Sequence, residues 1–288
     1  MRWLILPVSV LTAAAVFLSG QTAAPNPTGI SVGHIHVMVA DPTAMEKLLT
    51  DVLGGSQAKA GPLNMVKLPG VFFIVGGLGG GAKGGEPTPR LGTKGSSVDH
   101  VGFSVKSYAD TTAKAKAANL PVQELTAGVQ GFITFPGDII VEIQEDTALT
   151  TPSAFSHYHL TAPDQNVARE WYIKTFGGTE SERRKGLKGA GIPPGSVDFL
   201  GVGGAGKGKG GPAPAAAPAP LAGTKGRSLD HIGFEVKDLK AFTDGLVAGG
   251  TKMDMAFNDM STKLGLKIAF ITDPNGTYIE LTEGLNSK

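Results

Sequence analysis

The chain has 288 residues, a formal net charge of +1 and no cysteine. That length suits one large domain or two ordinary ones, and an apolar share of 41% can bury a core. Near-neutral charge without a basic stripe argues against a nucleic-acid partner. The absence of cysteine excludes disulfides, thiolate metal ligands and a cysteine nucleophile, so any metal site must use histidine and carboxylate.

The chain begins MRWLILPVSVLTAAAVFLSG. Arg2, the apolar stretch Leu4 to Leu18 and the small-residue exit QTAAP read as a secretory signal over residues 1–24, cleaved near Ala24. An uncleaved anchor is the alternative, but the apolar run is short for a span. The expectation is an exported protein, periplasmic or secreted, with no stable membrane insertion once the signal is removed.

Next comes GHIHVMVADP, Gly33 to Pro42, an alternating run with histidines at 34 and 36. In a strand, residues two apart share a face, so His34 and His36 point the same way. Asp41 is a good helix N-cap, and Pro42 suits the first helical position of PTAMEKLLTDVLGG. Short strand-like runs follow, NMVKL and VFFIVG. A Gly-rich tract, Gly76 to Gly95, separates them from VDHVGFSVK, which holds His100. Ser107 caps the next helical pattern, YADTTAKAKAANL, and FPGDIIVEIQED carries Glu142.

The same order then recurs. SHYHLTAPD holds His157 and His159, and Asp164 caps QNVAREWYIKTFGG. A Gly/Pro/Ala-rich tract, 203–226, leads to LDHIGFEVK with His231. Asp238 caps LKAFTDGLVAGG, and KIAFITD and TYIELTE end the pattern with Glu280. All six histidines belong to repeated patterns. The spacing between matched positions grows from His34/His157 to His100/His231 to Glu142/Glu280, so the chain is a duplication with insertions in the second copy. The halves are residues 29–148 and 152–286. Each holds two units of strand, helix and about three strands, the period switching from 2 to 3.6 at each cap. The two Gly-rich tracts read as surface loops; a lid or anion clamp using Lys83, Lys207 and Lys209 is the sharper alternative.

This fourfold plan resembles the vicinal oxygen chelate superfamily, which includes glyoxalase I, extradiol dioxygenases and bleomycin-binding proteins. SLDHIGFEVKDL and AFITDPNGTYIELTEG carry the resemblance most specifically. It implies an α+β fold: four βαβββ units paired into two tandem glyoxalase-like domains, 29–148 and 152–286, with mixed cup-shaped sheets and flanking helices. Ligands for a divalent metal would come from the first and last strands of the units. In the first half these would be His34, His100 and Glu142, and in the second His157, His231 and Glu280. A fourth family position falls near Phe73 and Phe199, neither of which can bind metal.

Two imidazoles and a carboxylate suit Fe(II), Mn(II) or Zn(II) and leave positions open for substrate. Two such sets imply up to two ions per chain. His36 and His159, one pleat from a ligand, are candidates for general acid/base work, substrate orientation or an alternative ligand.

The expected function is an exported metal-dependent enzyme chelating a small oxygenated substrate, of lyase, isomerase or dioxygenase type. The alternatives are a non-catalytic small-molecule binding protein of the bleomycin-resistance type and a domain that metal merely stabilises. Phe270 stands where ring-cleaving relatives carry a tyrosine. The partner expected is a small molecule, and the protein a monomer or homodimer.

Overall fold

The computed structural model describes residues 23–79, 90–201 and 221–288. The signal-like segment 1–22 and Lys83, Lys207 and Lys209 lie outside them. No helix among the described residues is long and apolar enough to cross a membrane.

Four units follow one another. The first is β1 (Ile30–Val39), α1 (Pro42–Leu53), β2 (Ser56–Ala60), β3 (Leu63–Leu68) and β4 (Val71–Gly77). The second is β5 (Val98–Val105), α2 (Tyr108–Ala117), β6 (Val122–Thr126), β7 (Gln130–Phe135) and β8 (Ile139–Glu145). The third is β9 (Ser153–Ala162), α3 (Gln165–Phe176), β10 (Thr179–Ser181), β11 (Gly189–Ile192) and β12 (Gly195–Gly201). The fourth is β13 (Leu229–Val236), α4 (Leu239–Ala248), β14 (Met255–Asp259), α5 (Ser261–Leu264), β15 (Lys267–Thr272) and β16 (Tyr278–Glu283). The short α5 and a 3-10 turn at Leu285–Ser287 are additions to the plan read in the sequence.

The caps work as their residue types dictate. The side chains of Asp41, Ser107, Asp164 and Asp238 each accept from a backbone N–H in the first turn of α1, α2, α3 and α4. Helices α1 and α3 stop at Gly54 and Gly177, both left-handed with φ 77 and 64.

The strands form two eight-stranded mixed sheets, but not by joining the two units of each sequence half. One sheet runs β14-β15-β16-β13-β1-β4-β3-β2, and the other β10-β11-β12-β9-β5-β8-β7-β6. The first unit therefore joins the fourth, and the second joins the third. The chain geometry accounts for this. A short link between Glu145 and Ser153 keeps the second and third units in one sheet, whereas long connections follow β4 and β12. Internal likeness shows which segments share an ancestor, not which ones touch.

Antiparallel pairs at the middle of each sheet, β1 with β13 and β5 with β9, place the histidine strands side by side. These strands are buried on both faces. Ile35 and Val37 enter the main core, while His34 and His36 take the opposite face, inside the cup. Backbone and hydroxyl contacts bind the sheets to each other. The Tyr158 hydroxyl donates to the carbonyl of His34 (2.9 Å), and Val32 N–H donates to the carbonyl of Pro193 (2.7 Å).

Two candidate metal centres

In the first cup, β1, β13 and β16 bring together His34, His231 and Glu280. Glu280 Oε2 lies 3.0 Å from His34 Nε2 and 2.8 Å from His231 Nε2. His231 Nδ1 faces Asp230 Oδ1 at 2.8 Å, and Asp230 in turn accepts from Arg90 (3.0 Å). The aspartate holds the Nδ1 proton and turns the Nε2 lone pair into the cup, the usual outer support of a metal-binding histidine. His34 lies across from Gly233, and a Cβ there would sit 2.1 Å from the imidazole. Glycine is thus what admits the His34 ring.

The rest of this cup is apolar. Phe270 lies edge-on to His231, with Tyr278 stacked against Phe270. Phe72 and Ile74 stand beside His34 and His36 in the parallel β1/β4 register, and pack with Met65, Leu266 and Leu285.

In the second cup, β5, β8 and β9 bring together His100, Glu142, His157 and His159. His100 Nε2 is 2.9 Å from Glu142 Oε2, and its Nδ1 faces Asp99 at 2.6 Å. Gly102 admits His157 as Gly233 admits His34, with a built Cβ only 1.9 Å from that ring. Here the lining is polar. Gln130 donates to Glu142 Oε1 (2.9 Å), and Arg183 reaches in from the loop between β10 and β11. Its Nη2 lies 3.0 Å from His157 Nε2, and its Nε donates to Asp198 (2.8 Å).

Electrostatics set His100 and His231 apart from the other four histidines, since burial also lowers His34 and His157. Burial raises the Glu142 and Glu280 carboxyl pKa values, but hydrogen bonds and attraction from the facing imidazoles reverse this, and both end well below the usual carboxylate range. Burial lowers His100 and His231, yet their carboxylate partners on either side raise them overall. His36 and His159 have no such double partner. Burial, followed by repulsion from a neighbouring imidazole, pushes each down to about 3. Both are therefore neutral near pH 7.

The donor sets fit a divalent ion. Ligand atoms held at about 2.1 Å from one ion lie roughly 3 to 3.5 Å from each other, so the hydrogen-bonded separations of 2.8 and 3.0 Å around Glu280 Oε2 would open only slightly around an ion. His34 Nδ1 and His159 Nε2 are buried without a hydrogen-bond partner, so each ring is held through its other nitrogen alone.

Two sequence expectations are corrected. The triads do not follow the halves: His34 joins His231 and Glu280, while His157 joins His100 and Glu142, because the sheets cross the duplication. The fourth family position is not Phe73 or Phe199. Both face the main core, since they pair with Ile35 and Leu160. The cup-facing positions opposite His36 and His159 are Ile74 and Asp198. Of the two acid/base candidates, His159 lies among the converging ligand atoms, with Nδ1 2.9 Å from His100 Nε2. His36 lies 3.1 Å from His231 Nε2, outside the converging set. Asp99, Asp230, Tyr278 and Arg183 were missed by the sequence reading. The first two were visible as the repeated D-H pair, and Tyr278 as the residue two before Glu280.

Residues 154–281 match the family described as the Glyoxalase/Bleomycin resistance protein/Dioxygenase superfamily. That match spans the third and fourth units and is a likeness to the superfamily over those residues. Among solved structures the chain is similar to glyoxalase I from Zea mays, at 12% identity and TM-score 0.65, covering 90% of this chain and 94% of that one. It is also similar to a putative dioxygenase from Bacillus subtilis, at 14% identity and TM-score 0.57, covering 88% and 85%. At these identities the likeness is one of fold. None of the curated proteins compared matches this chain.

Proposed function

We propose that the protein is an exported metalloenzyme that binds a small oxygenated substrate through adjacent oxygens at a two-His-one-Glu centre. The reaction class is lyase, isomerase or dioxygenase. The observation that carries this reading is the convergence of six ligand-type residues, from separate strands of all four units, into two buried sets at matching positions. His34, His231 and Glu280 would hold an ion in the first cup, and His100, Glu142 and His157, with His159 beside them, in the second. A bound ion supplies Lewis-acid polarisation of a substrate oxygen.

The chain's own residues supply the rest. Asp230 and Asp99 fix the tautomers of His231 and His100, and Gly233 and Gly102 seat the opposing imidazoles. His36, neutral and one pleat from His34, is placed to accept a proton from a substrate held against the first cup. Phe270, Tyr278 and Phe72 exclude water around that position. Export rests on Arg2 and the apolar stretch Leu4 to Leu18. The partner is a small molecule, and the enzyme acts as a monomer or homodimer.

The test is metal content by elemental mass spectrometry, on protein purified without added metal and again after supplying Fe(II), Mn(II) and Zn(II). Retention of a stoichiometric ion that Glu280→Ala or Glu142→Ala removes supports the reading, and the ion's identity narrows the reaction class. If none of the three ions binds, the non-catalytic binding-protein reading takes its place.

A further inference from the structure

The two cups are built on the same plan, yet one contact has no counterpart in the other. In the first cup both imidazoles meet the carboxylate: His34 and His231 each place Nε2 on Glu280 Oε2. In the second cup only His100 does so. His157 Nε2, which matches that of His34, faces Nη2 of Arg183 instead. The same guanidinium lies 3.6 Å from Glu142 Oε1 and 3.5 Å from Gln144 Oε1, and Asp198, which accepts from the Ser196 hydroxyl, holds it in place from behind.

We infer that Arg183 is a tethered cation that occupies part of the divalent-ion position of the second cup, so that the two cups load metal unequally.

The inference rests on the proposed metal chemistry and adds an order to it. An arginine stays protonated at any pH a protein meets, so it cannot be removed by deprotonation. It donates toward the lone pair of His157 that a metal would need. It also satisfies Asp198, which is buried and stands at the position equivalent to Glu142: Asp198 is opposite His159 on β12/β9, as Glu142 is opposite Gly102 on β8/β5. An ion entering the second cup must therefore expel the guanidinium and break the Asp198 pair.

The loop that delivers Arg183 spans residues 182–188 between β10 and β11. In the first unit the matching turn between β2 and β3 is Gly61-Pro62, which carries no side chain able to reach its cup. The first cup has Ile74 where the second has Asp198, and beside its triad stand His36 and apolar side chains, with no guanidinium among the described residues. Without Arg183 the second cup would offer four converging donors, His100, His157, His159 and Glu142, against three in the first.

The experiment is a titration of the metal-free full chain with Zn(II) and Mn(II) by calorimetry, with bound metal counted by elemental mass spectrometry. Wild type is expected to bind one tight equivalent, lost in Glu280→Ala and retained in Glu142→Ala. Arg183→Ala and Arg183→Met are expected to bind two, the second at least tenfold tighter than any weak second event in wild type, and that second one is lost when Glu142→Ala is added. Circular dichroism melting of each variant shows that it is folded, and agreement between the two substitutions guards against a local collapse in one. Two equivalents of equal affinity in wild type would overturn the inference while leaving the metal-centre reading intact. So would a stoichiometry of one that neither Arg183 variant raises. Absence of metal from wild type and all variants would remove both.

Discussion

The two cups have the same strands, the same glycine seats and the same aspartate supports, yet their interiors differ in kind. The first presents three ligand atoms among Phe72, Ile74, Phe270, Leu266 and Leu285. The second crowds four histidine and glutamate ligands with Gln130, Arg183 and Asp198. A duplicated scaffold conserves what holds an imidazole in place and leaves free what surrounds it. Among the described residues, the ligand atoms of the first cup's triad meet only one another and His36, whereas in the second cup Arg183 and Gln130 also engage them.

The comparison is broken most directly at the carboxylates. Glu280→Ala should abolish the tight metal equivalent, and Glu142→Ala should leave it unchanged, as counted by elemental mass spectrometry. Next in size are the glycine seats. In Gly233→Ala the new methyl overlaps the His34 ring, so the ring must move. Metal retention should be lost, with about 1–3 kcal/mol of stability, as expected of overpacking. Gly102→Ala makes the same clash with His157, so its stability cost should be similar while the tight equivalent stays. Denaturant melts together with metal analysis separate these outcomes.

The aspartate supports come third. Asp230→Asn should weaken metal binding in the first cup about 10–100-fold, measured by competition with a chromophoric chelator, and Asp99→Asn should not alter it.

Acid should also act on the metal-free protein. His36 and His159 titrate near 3 in the fold and near 6.5 when unfolded. Between those values the unfolded chain binds more protons, so stability is present above about 6.5 and falls as pH drops toward 3. Each histidine contributes a slope of about 1.4 kcal/mol per pH unit. His100 and His231, raised in the fold, act in the opposite sense: their contribution is full below 6.5 and fades as pH rises through their folded values. Chemical melts across pH 4 to 8 should show the acid-side loss, and His36→Phe should remove part of it. The smallest effect is expected of Tyr158→Phe, which deletes the hydroxyl bond to the His34 carbonyl and should cost about 1 kcal/mol.

Much of this was legible in the residues. The four N-caps, the H-x-H strands, the glycines that leave room and the two glutamates follow from local pattern, and the structure places them on the strands and helix starts read for them. Which unit meets which was not legible, because similarity between halves carries no information about contact. The parity of VFFIVG was also hidden. A strand buried on both faces shows no alternation, so Phe73 could not be told from Phe72 and Ile74 as the residue facing the cup. Arg183 was out of reach for another reason. It lies on a loop that in the first unit is only the two-residue turn Gly61-Pro62, and its role depends on three residues brought together from β8, β9 and β12.

The crossed pairing also bears on how the chain folds. Every strand of the second sheet lies between residues 98 and 201, and its two units are neighbours in sequence. The first sheet instead must bring Ile30 beside Val236 and cannot close until the last strand, β16, is available. Contacts between distant residues form late, since the intervening loop must be closed first. During synthesis the second cup can assemble while the fourth unit is still absent, leaving β1 with an unpaired edge until β13 arrives. The cup built from the first and fourth units is thus the one whose closure reports that the fourth unit has arrived.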